Sequence, residues 1–324
     1  MAILCATLLP MSLFLALGAS LLLAPSTASV DVQALHKQCD SIAKSFRGRL
    51  GYRVETLDGE IAFGYRDEER FPSASTIKTV VMLEVVRQIE DGKLKWTDKL
   101  EVPPPRSGGG LWTGYLKPGT QLNIEMLCHL MMSVSDNTAT VMLSDRVGVT
   151  NIEKRMLGWG LNDTACTINV PQDHERLAYL RRTFANMGVT SPSDMAKILK
   201  MIVSGKAASQ AGCERIIRTM THQYWDDFIA SSVPPGVAVA SKVGALNRSR
   251  SDTAIVFGEK PYILTVYTDN AKDRNWTNDN EGNVAIRKIS SVVWNGLNPG
   301  RPYSPPTGAK LWYPTGGDIE VPQN

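Results

Sequence analysis

The segment FPSASTIKTVVMLEVV (71–86) places a hydroxyl group and an amine at a spacing that permits covalent chemistry. On a helix beginning near Ser75, Lys78 lies one turn later on the same face, and the residues that continue this stripe are apolar. Lys78 is therefore expected to point toward the core, where desolvation lowers the pKa of an amine. Such a lysine could take the proton of the Ser75 hydroxyl, which predicts a nucleophile with its base.

A structural explanation of the same segment is a capped helix start with a lysine whose stem lies along apolar surface. The Ser-x-x-Lys pattern is also short enough to arise by chance, and SIAK (41–44) is a second match without supporting context. On its own, the segment is compatible with both interpretations.

A second segment, LMMSVSDNTATVML (130–143), carries polar groups suited to the same chemistry. Ser135, Asp136 and Asn137 stand just before a helical pattern, so helix capping alone would explain them. In functional terms, a serine hydroxyl can relay a proton, and an asparagine amide can both donate to and accept from a substrate amide.

The third segment, ASKVGAL (240–246), has Lys242 in a strand pattern and Gly244 two residues later. An edge-strand lysine and a bulge glycine would be a structural explanation. The functional interpretation is a strand that brings a cation and a backbone N–H beside the nucleophile, while the glycine allows a substrate to approach closely.

Strand patterns flank a long helical stretch, and these elements must position the three segments. Residues 50–66 give two strand patterns around Asp58-Gly59, a strong hairpin signal, and three alternating β-branched runs lie within 237–268. Between them the periodicity is mostly helical, except in residues 160–190. The sequence predicts an α+β fold whose antiparallel sheet is built from both ends of the mature chain, flanked by helices, with an inserted all-α region.

The predicted organisation has a leader, one domain and a tail. An apolar block followed by small residues predicts a signal peptide at 1–29, although the missing basic residues keep an uncleaved anchor as an alternative. The mature protein is expected to be periplasmic or secreted, without a membrane span. The predicted boundaries are 30–297 for the domain (α/β part 30–71 and 231–297, helical part 72–230) and 298–324 for a proline- and glycine-rich tail.

The composition argues against several classes of function. The 324 residues are 43% hydrophobic and 21% charged with a formal net charge of +3, so no concentrated basic field exists to bind nucleic acid. The four histidines show no metal-ligand spacing, and no metal or other cofactor is expected. The four cysteines beyond the signal segment permit two disulfides in three pairings, or buried free thiols: Cys39, Cys128, Cys166 and Cys213.

Together, the three segments resemble the Ser-x-x-Lys, Ser-Asp-Asn and Lys-Thr-Gly elements of class A β-lactamases and penicillin-binding proteins. Ser75 and Ser135 are 60 residues apart, which matches the class A enzymes. FPSAS (71–75) and LKPGTQLNIEMLCHLMMSVSDNTAT (116–140) are also similar to that family. The resemblance covers roughly residues 35 to 296 and implies a β-lactamase/transpeptidase-like fold.

The resemblance implies roles for the residues of the first two elements. Ser75 would be the nucleophile that opens a β-lactam carbonyl and becomes acylated, with Lys78 as base or proton relay. Ser135 would pass the proton toward the leaving nitrogen. Asn137 would hold the acylamide side chain of the substrate.

The strand element has implied roles as well. Lys242 would supply positive potential near the substrate carboxylate, and Gly244 would let the substrate approach closely. The oxyanion hole would consist of the backbone N–H groups of Ser75 and Ala245. Val243, however, stands where the family usually has Thr or Ser, so the hydroxyl that binds the substrate carboxylate is absent. Arg250 is the candidate to anchor that carboxylate instead.

A second departure concerns deacylation. Class A enzymes use a glutamate in a Glu-x-x-Leu-Asn loop, and this string is missing here. Counting back from Ser191-Pro192 leads to Glu175, whereas counting forward from Ser135 leads to Pro171, which indicates an insertion or a rebuilt loop within 160–175. Glu175 is the candidate deacylating base, and an ordinary surface charge is the alternative.

Three hypotheses follow from these departures. The first is a serine β-lactamase that hydrolyses its acyl-enzyme. The second is a related serine hydrolase, such as a D-alanyl-D-alanine peptidase acting on a cell-wall peptide. The third is a penicillin-binding module that acylates slowly without turnover. In each case the expected partner is a small-molecule β-lactam or a cell-wall peptide, and the protein is expected to be a monomer.

Overall fold

Strands from both ends of the chain form a central sheet. The structure is a computed structural model that describes residues 30–104, 110–184 and 187–305. The strands of the main sheet are β1 (Arg49–Thr56), β2 (Ala62–Tyr65), β8 (Val239–Leu246), β9 (Ser249–Val256) and β10 (Tyr262–Asp269). Their order is β2-β1-β10-β9-β8, and the paired neighbours run antiparallel. The α+β prediction, with an antiparallel sheet from both ends of the chain, is confirmed.

Local sequence signals explain how this sheet closes. Asp58 and Gly59 form the turn between β1 and β2, where Gly59 has a φ of +79° that a residue with a side chain rarely adopts. The neighbouring β1 and β10 pair along their whole length, from Arg49 opposite Asp269 to Thr56 opposite Tyr262. Strand β8 pairs only with β9, so β8 is an edge strand with one open side.

Two helices cover one face of the sheet: α1 (Val32–Ser45) and α9 (Glu281–Leu297). Leu35, Cys39 and Ala43 are spaced four residues apart, so they form one buried stripe on α1. The side chains of Asp31 and Asn280 cap the two helices by accepting backbone N–H bonds. A first hydrophobic core lies between these helices and the sheet.

The opposite face carries the helical part of the domain and the second core. Ten of the thirteen residues of its central helix are buried, on all sides of the helix, which is why the helix shows only a weak amphipathic pattern. The helices are α2 (Lys78–Glu90), α3 (Ile124–Ser133), α4 (Asn137–Val147), α5 (Val149–Gly158), α6 (Glu175–Phe184), α7 (Pro192–Val203) and α8 (Gln210–Met220). Two small sheets complete this part: β3 (Phe71–Pro72), β6 (Ala165–Cys166) and β7 (Gly188–Thr190), and β4 (Lys99–Glu101) with β5 (Gln121–Asn123).

Helix α6 lies inside residues 160–190, where the sequence showed little periodicity. Only Leu177 and Leu180 of this helix are buried, so too few apolar positions repeat to give a clear pattern. Its start is held instead by the buried carboxylate of Glu153, which pairs with His174 at 2.5 Å and with Arg176. The start of α6 is therefore fixed by contacts with Glu153, a residue outside the helix, and the local sequence does not indicate these contacts.

Of the two alternatives for the four cysteines, disulfides or buried free thiols, the structure shows free thiols. Cys39, Cys128, Cys166 and Cys213 are all buried and unbridged. Desolvation raises the pKa of the Cys39 and Cys128 thiols to about 12, which disfavours the reactive thiolate. These cysteines therefore act as small hydrophobic residues.

Two predicted segments fall wholly or partly outside the described residues. The signal peptide (1–29) lies outside them, as does most of the tail, since the description ends at residue 305. Within the described residues, none of the helices combines the length and the apolar character needed to cross a bilayer.

Candidate active site

Ser75 lies in a single 3₁₀ turn, Ala74–Ile77, between β3 and α2. Ala74 adopts a φ of +46°, a left-handed conformation that is strained for a residue with a Cβ. The turn is anchored by Thr76, whose hydroxyl lies 2.7 Å from Ser73 O and 3.0 Å from the Tyr267 hydroxyl on β10. Ala74 and Thr76 are buried while Ser75 is half-buried, so Ser75 is the residue of this fixed turn that remains accessible.

Lys78 opens α2 and is fully buried, as its position on the apolar stripe predicted. Its ammonium nitrogen Nζ lies 2.7 Å from Ser135 O, 2.8 Å from Asn137 Oδ1 and 3.1 Å from Ser135 Oγ. The two carbonyl-type oxygens can only accept hydrogen bonds, whereas the hydroxyl can also donate. A neutral Lys78 amine can therefore donate to both carbonyl oxygens and keep its lone pair for a hydroxyl proton.

The electrostatics favour that neutral form. Burial lowers the pKa of Lys78 well below its usual value, and the positive charge of Lys242 lowers it further, while the carboxylate of Asp136 acts in the opposite direction. The three oxygens around Nζ are uncharged groups, and none of them compensates the ammonium charge as a carboxylate would. Lys78 thus has the properties of a general base.

Ser135 stands in a tight junction between α3 and α4, at a φ of +63°. Its Oγ is 3.1 Å from Lys78 Nζ and also 3.1 Å from Lys242 Nζ. Lys242 can donate to one lone pair of Oγ, and Lys78 can donate to the other once it has taken up a proton, so that the Ser135 O–H is then able to point toward a third group. This geometry suits a proton donor to a leaving nitrogen.

Asp136 does more than the helix capping that its position suggested. Its buried carboxylate accepts from Ala139 N at the start of α4, and also from Trp112 N and Thr113 N at 3.0 Å each. The Thr113 hydroxyl adds a further bond at 3.0 Å. Asp136 therefore fastens the 110–116 loop to the Ser135 junction, a role that the sequence alone did not reveal.

Asp136→Ala is expected to lower the free energy of unfolding by about 3 kcal/mol, because it removes a helix cap and leaves the Trp112 and Thr113 amides without their acceptor. Urea denaturation followed by circular dichroism measures the change. The matched control is Asp31→Ala, since Asp31 caps α1 through one N–H bond of 2.9 Å from Ala34; its expected cost is about 1 kcal/mol. Equal costs in the two variants would contradict the role given to Asp136.

Lys242 is fully buried on β8, and its Nζ contacts Ser135 Oγ and Val243 O, the latter at 3.0 Å. Desolvation lowers the pKa of Lys242 to about 7, against the opposing effect of the Asp252 carboxylate. The strand thus places a second amine next to the same serine hydroxyl that Lys78 contacts. The three segments singled out in the sequence meet at this hydroxyl.

Gly244 lets β8 approach the nucleophile. A Cβ built at Gly244 would lie 2.9 Å from Ser75 N and 2.6 Å from Ser251 Oγ, so no larger residue fits. Ala245 follows immediately and is partly exposed at the open edge of the strand. The backbone N–H groups of Ser75 and Ala245 are the candidate pair of oxyanion donors.

Val243 and Arg250 are both directed away from solvent. Val243 is 7% exposed and packs in the core between the sheet and α1 and α9. Arg250 is 3% exposed; its guanidinium donates to Leu246 O, to Ser249 O at 2.9 Å and to Asn275 O at 2.6 Å, and it stacks on the Trp276 ring. These contacts use Arg250 to brace the β8–β9 hairpin and leave little of it for a substrate carboxylate.

Glu175 is exposed at the first position of α6. Among the described residues, its carboxylate forms no ion pair, and the oxygens around Lys78 come from Ser135 and Asn137 instead. The structure therefore does not bring Glu175 into contact with the residues around Ser135. In the same described part of the chain, no group of three His, Cys, Asp or Glu residues could hold a metal ion.

Gln223 and Trp225 are further contributors that the sequence patterns did not single out. Gln223 Nε2 donates to Met132 O at the end of α3 and to Ser241 O on β8, at 3.3 and 3.4 Å. Trp225 Nε1 donates to Val134 O at 3.3 Å. Gln223 thus ties the end of α3 to the strand of Lys242, and Trp225 holds the residue before Ser135; their segment carries no motif that could have indicated this.

Known proteins of similar sequence and structure share this arrangement of elements. Beta-lactamase PSE-4 of Pseudomonas aeruginosa is 26% identical over 287 residues, covering 85% of this chain and 95% of that protein. A crystal structure of a beta-lactamase from Sphaerobacter thermophilus matches with a TM-score of 0.70 at 25% identity, covering 83% of this chain and 98% of the other. The structure of PBP-A matches with a TM-score of 0.69 at 24% identity over 81% of this chain and 95% of its own, and shows a common fold.

The family profile described as the Beta-lactamase enzyme family matches residues 34–297. This span includes the main sheet, both cores and the three segments around Ser135. The predicted kinship with class A β-lactamases is confirmed, and so is the enzyme class, a serine-type hydrolase of cyclic amides. On its sequence, its fold and the composition of its site, the chain belongs to the Beta-lactamase enzyme family.

Proposed function

We propose that the protein is a serine β-lactamase that opens the β-lactam amide bond through an acyl-enzyme on Ser75. The observation that carries the proposal is the convergence of Lys78 and Lys242 on Ser135 Oγ, each at 3.1 Å. This convergence provides a base, a proton relay and a positive potential close to the half-buried Ser75.

In the acylation step, the neutral amine of Lys78 takes the proton from Ser75 Oγ, and Oγ attacks the lactam carbonyl carbon. The developing oxyanion is bound by the Ser75 and Ala245 N–H groups. As the C–N bond of the lactam breaks, Ser135 gives its proton to the nitrogen and is reprotonated from Lys78. The positive charge of Lys242 favours substrates with a carboxylate near that nitrogen.

Asn137 and Gly244 act in substrate binding. The Asn137 carboxamide, held by Lys78 at 2.8 Å, would take the acylamide side chain of the substrate. Gly244 would let the substrate lie along the open edge of β8 as an added strand, so that backbone groups of the strand hold it. With Val243 in place of a hydroxyl residue and Arg250 bound to carbonyl groups, Lys242 carries most of the carboxylate recognition.

Deacylation requires a water molecule and a base. In the β-lactamase proposal, Glu175 takes a proton from water, the water oxygen attacks the acyl carbon, and the ester bond to Ser75 breaks as Glu175 returns the proton to Ser75 Oγ. A second candidate function is a penicillin-binding or D-alanyl-D-alanine peptidase-like protein that keeps its β-lactam adduct. The exposed position of Glu175 and the uncharged surroundings of Lys78 favour this second candidate.

A chromogenic cephalosporin separates the candidates. The purified protein is mixed with the compound, and both colour change and intact mass are followed over time. Sustained hydrolysis supports the β-lactamase, whereas one adduct per chain without further colour supports the slow-acylating proteins. Neither adduct nor hydrolysis would exclude β-lactam chemistry and leave a cell-wall peptide or another ester or amide to be tested.

If Glu175 is the base, Glu175→Gln should cut the turnover rate by about 10²–10⁴ and make the adduct accumulate, because proton transfer to a positioned base contributes this factor. Intact mass spectrometry during turnover measures the accumulation. Asp173→Asn is the matched control, since Asp173 is the other exposed carboxylate in the same segment. Equal turnover in Glu175→Gln and the wild type would remove Glu175 from the mechanism.

The remaining proposals concern the localisation, oligomeric state, domain boundaries and partners of the enzyme. We propose a periplasmic or secreted monomer released from a signal peptide at 1–29, with a domain at 30–297 and a separate tail from 298. The PSE-4 relative matches over 95% of its length, which supports one complete domain of this kind. The proposed partner is a small-molecule β-lactam or a cell-wall peptide, not nucleic acid.

A further inference from the structure

Strand β9 carries a row of buried hydroxyl groups on the face of the sheet that supports the site. Ser249, Ser251 and Thr253 alternate along β9, so they share one face, and each is at most 2% exposed. Thr253 is directly opposite Lys242 in the strand pairing, which puts the row on the Lys242 side of the sheet. Buried hydroxyl groups normally have hydrogen-bond partners, and the proposed mechanism does not use any of these three.

Ser251 is the member of the row that contacts both sides of the candidate oxyanion hole. Its Oγ lies 3.3 Å from Ser73 O and 3.3 Å from Gly244 O. Ser73 is two residues before the nucleophile, and Gly244 immediately precedes Ala245. One hydroxyl therefore stands between the turn that carries Ser75 and the strand that carries the second donor N–H.

The turn and the strand are in close contact at Gly244. A Cβ built there would lie 2.9 Å from both Ala74 Cβ and Ser75 N, and 2.6 Å from Ser251 Oγ. Ala74 has a φ of +46°, a strained conformation that the surrounding contacts must maintain. The spacing between the N–H groups of Ser75 and Ala245 therefore depends on how the turn is fixed against β8.

The other hydrogen bonds of the turn lead to different elements. Ser73 O also accepts from the Thr76 hydroxyl at 2.7 Å, within the turn itself, and Ser73 N donates to Gly188 O on β7 at 3.0 Å. The Thr76 hydroxyl is 3.0 Å from that of Tyr267 on β10. These bonds fix the turn to itself, to β7 and to β10, and none of the three reaches β8. The link to β8 comes from Ser251.

We propose that Ser251 is a positioning residue whose hydroxyl links Ser73 O to Gly244 O and thereby sets the spacing of the two oxyanion donors. This role rests on the proposed acylation of Ser75, in which those donors bind the developing oxyanion. The hydroxyl has a single proton, so it donates to one carbonyl at a time or divides the bond between the two. Because oxyanion donors must lie about 2.7–3.1 Å from the oxyanion, a small change in their spacing weakens transition-state binding more than substrate binding.

Ser251→Ala removes the hydroxyl and leaves both carbonyl groups in place. In stopped-flow experiments with a chromogenic cephalosporin, the acylation rate constant is expected to fall by about 10-fold, less than the roughly 10²–10³ lost with a whole donor. The dissociation constant of the substrate should change by less than about twofold. In infrared difference spectra of the acyl-enzyme, the ester carbonyl band should move to higher wavenumber, because weaker hydrogen bonds polarise the C=O group less.

Ser249→Ala is the matched control. Ser249 lies two residues earlier on the same face of β9 and is also buried, but in the described part of the chain its Oγ has no hydrogen-bond partner. Its replacement should leave the acylation rate and the carbonyl band at their wild-type values. Equal effects of the two alanine variants, or an unchanged acylation rate in Ser251→Ala, would overturn the inference.

Hydrogen–deuterium exchange in the free protein tests the link without any substrate. In Ser251→Ala the amides of residues 73–77 and 243–246 should exchange faster than in the wild type, while those of β10 keep their protection, because the loss is local. Ser249→Ala should exchange like the wild type. Unchanged exchange in both segments of Ser251→Ala would equally overturn the inference. If the wild type forms no acyl-enzyme while exchange changes as stated, the proposed β-lactamase function fails but the link between turn and strand stands.

Discussion

Ser75→Ala is expected to abolish the formation of any β-lactam adduct and to lower the turnover of a chromogenic cephalosporin by at least about 10³-fold. In this variant the backbone N–H at position 75 and that of Ala245 would still bind the carbonyl oxygen, so substrate affinity should change far less than rate. What is lost is the oxygen that forms the ester. Intact mass after incubation with a penicillin, together with steady-state rates, measures both effects.

The chain offers its own control for this prediction. Ser41 opens the second Ser-x-x-Lys match, SIAK, on the surface of α1, where it is exposed. Ser41→Ala should keep the wild-type adduct and rate. A β-lactam adduct on Ser75→Ala would show that another group is the nucleophile.

Lys78→Met is expected to reduce the acylation rate by about 10²–10⁴-fold, because it removes the general base and keeps an unbranched side chain of similar length. A methionine is compatible with the fully buried position, so the variant should fold. Stopped-flow measurement of acylation gives the rate, and thermal unfolding confirms the fold.

The pH dependence gives a sharper test. Only the unprotonated amine can act as base, and burial together with the charge of Lys242 lowers the Lys78 pKa toward the working range. The wild-type acylation rate should therefore fall on the acid side as Lys78 becomes protonated, and this limb should be missing in Lys78→Met. Lys44→Met, which removes an exposed lysine bound to Asp40 at 2.9 Å, should retain both rate and limb. A retained acid limb in Lys78→Met would assign the base to another residue.

The main layout of the protein could be predicted from sequence because strong local signals agree with it. The Asp58-Gly59 turn, the β-branched strands and the helical periods each mark their elements, and the burial of Lys78 follows from its place on an apolar stripe. The meeting of Ser135 with Lys78 and Lys242 also followed, although only the resemblance to a known family joined segments so far apart in the chain.

Other features could not be predicted, since they depend on contacts between distant residues. Arg250 is a cation in a strand pattern, and only the structure reveals that the carbonyl groups of Leu246, Ser249 and Asn275 hold it. Asp136 fits an N-cap pattern, and this pattern does not indicate that its carboxylate also accepts hydrogen bonds from the 110–116 loop. In both cases the sequence indicates the residue type but not the partner.

The pairing of β1 with β10 determines when this enzyme can become active. Arg49 is paired with Asp269, near the other end of the domain, and Lys242 lies on a strand that joins the sheet only through β9. A partly synthesised chain can contain Ser75 and Ser135 and still lack the β8 strand that carries Lys242. Sheets that join distant parts of a chain form late in folding. Ser75 and Lys242 therefore come together only after nearly the whole domain has been synthesised.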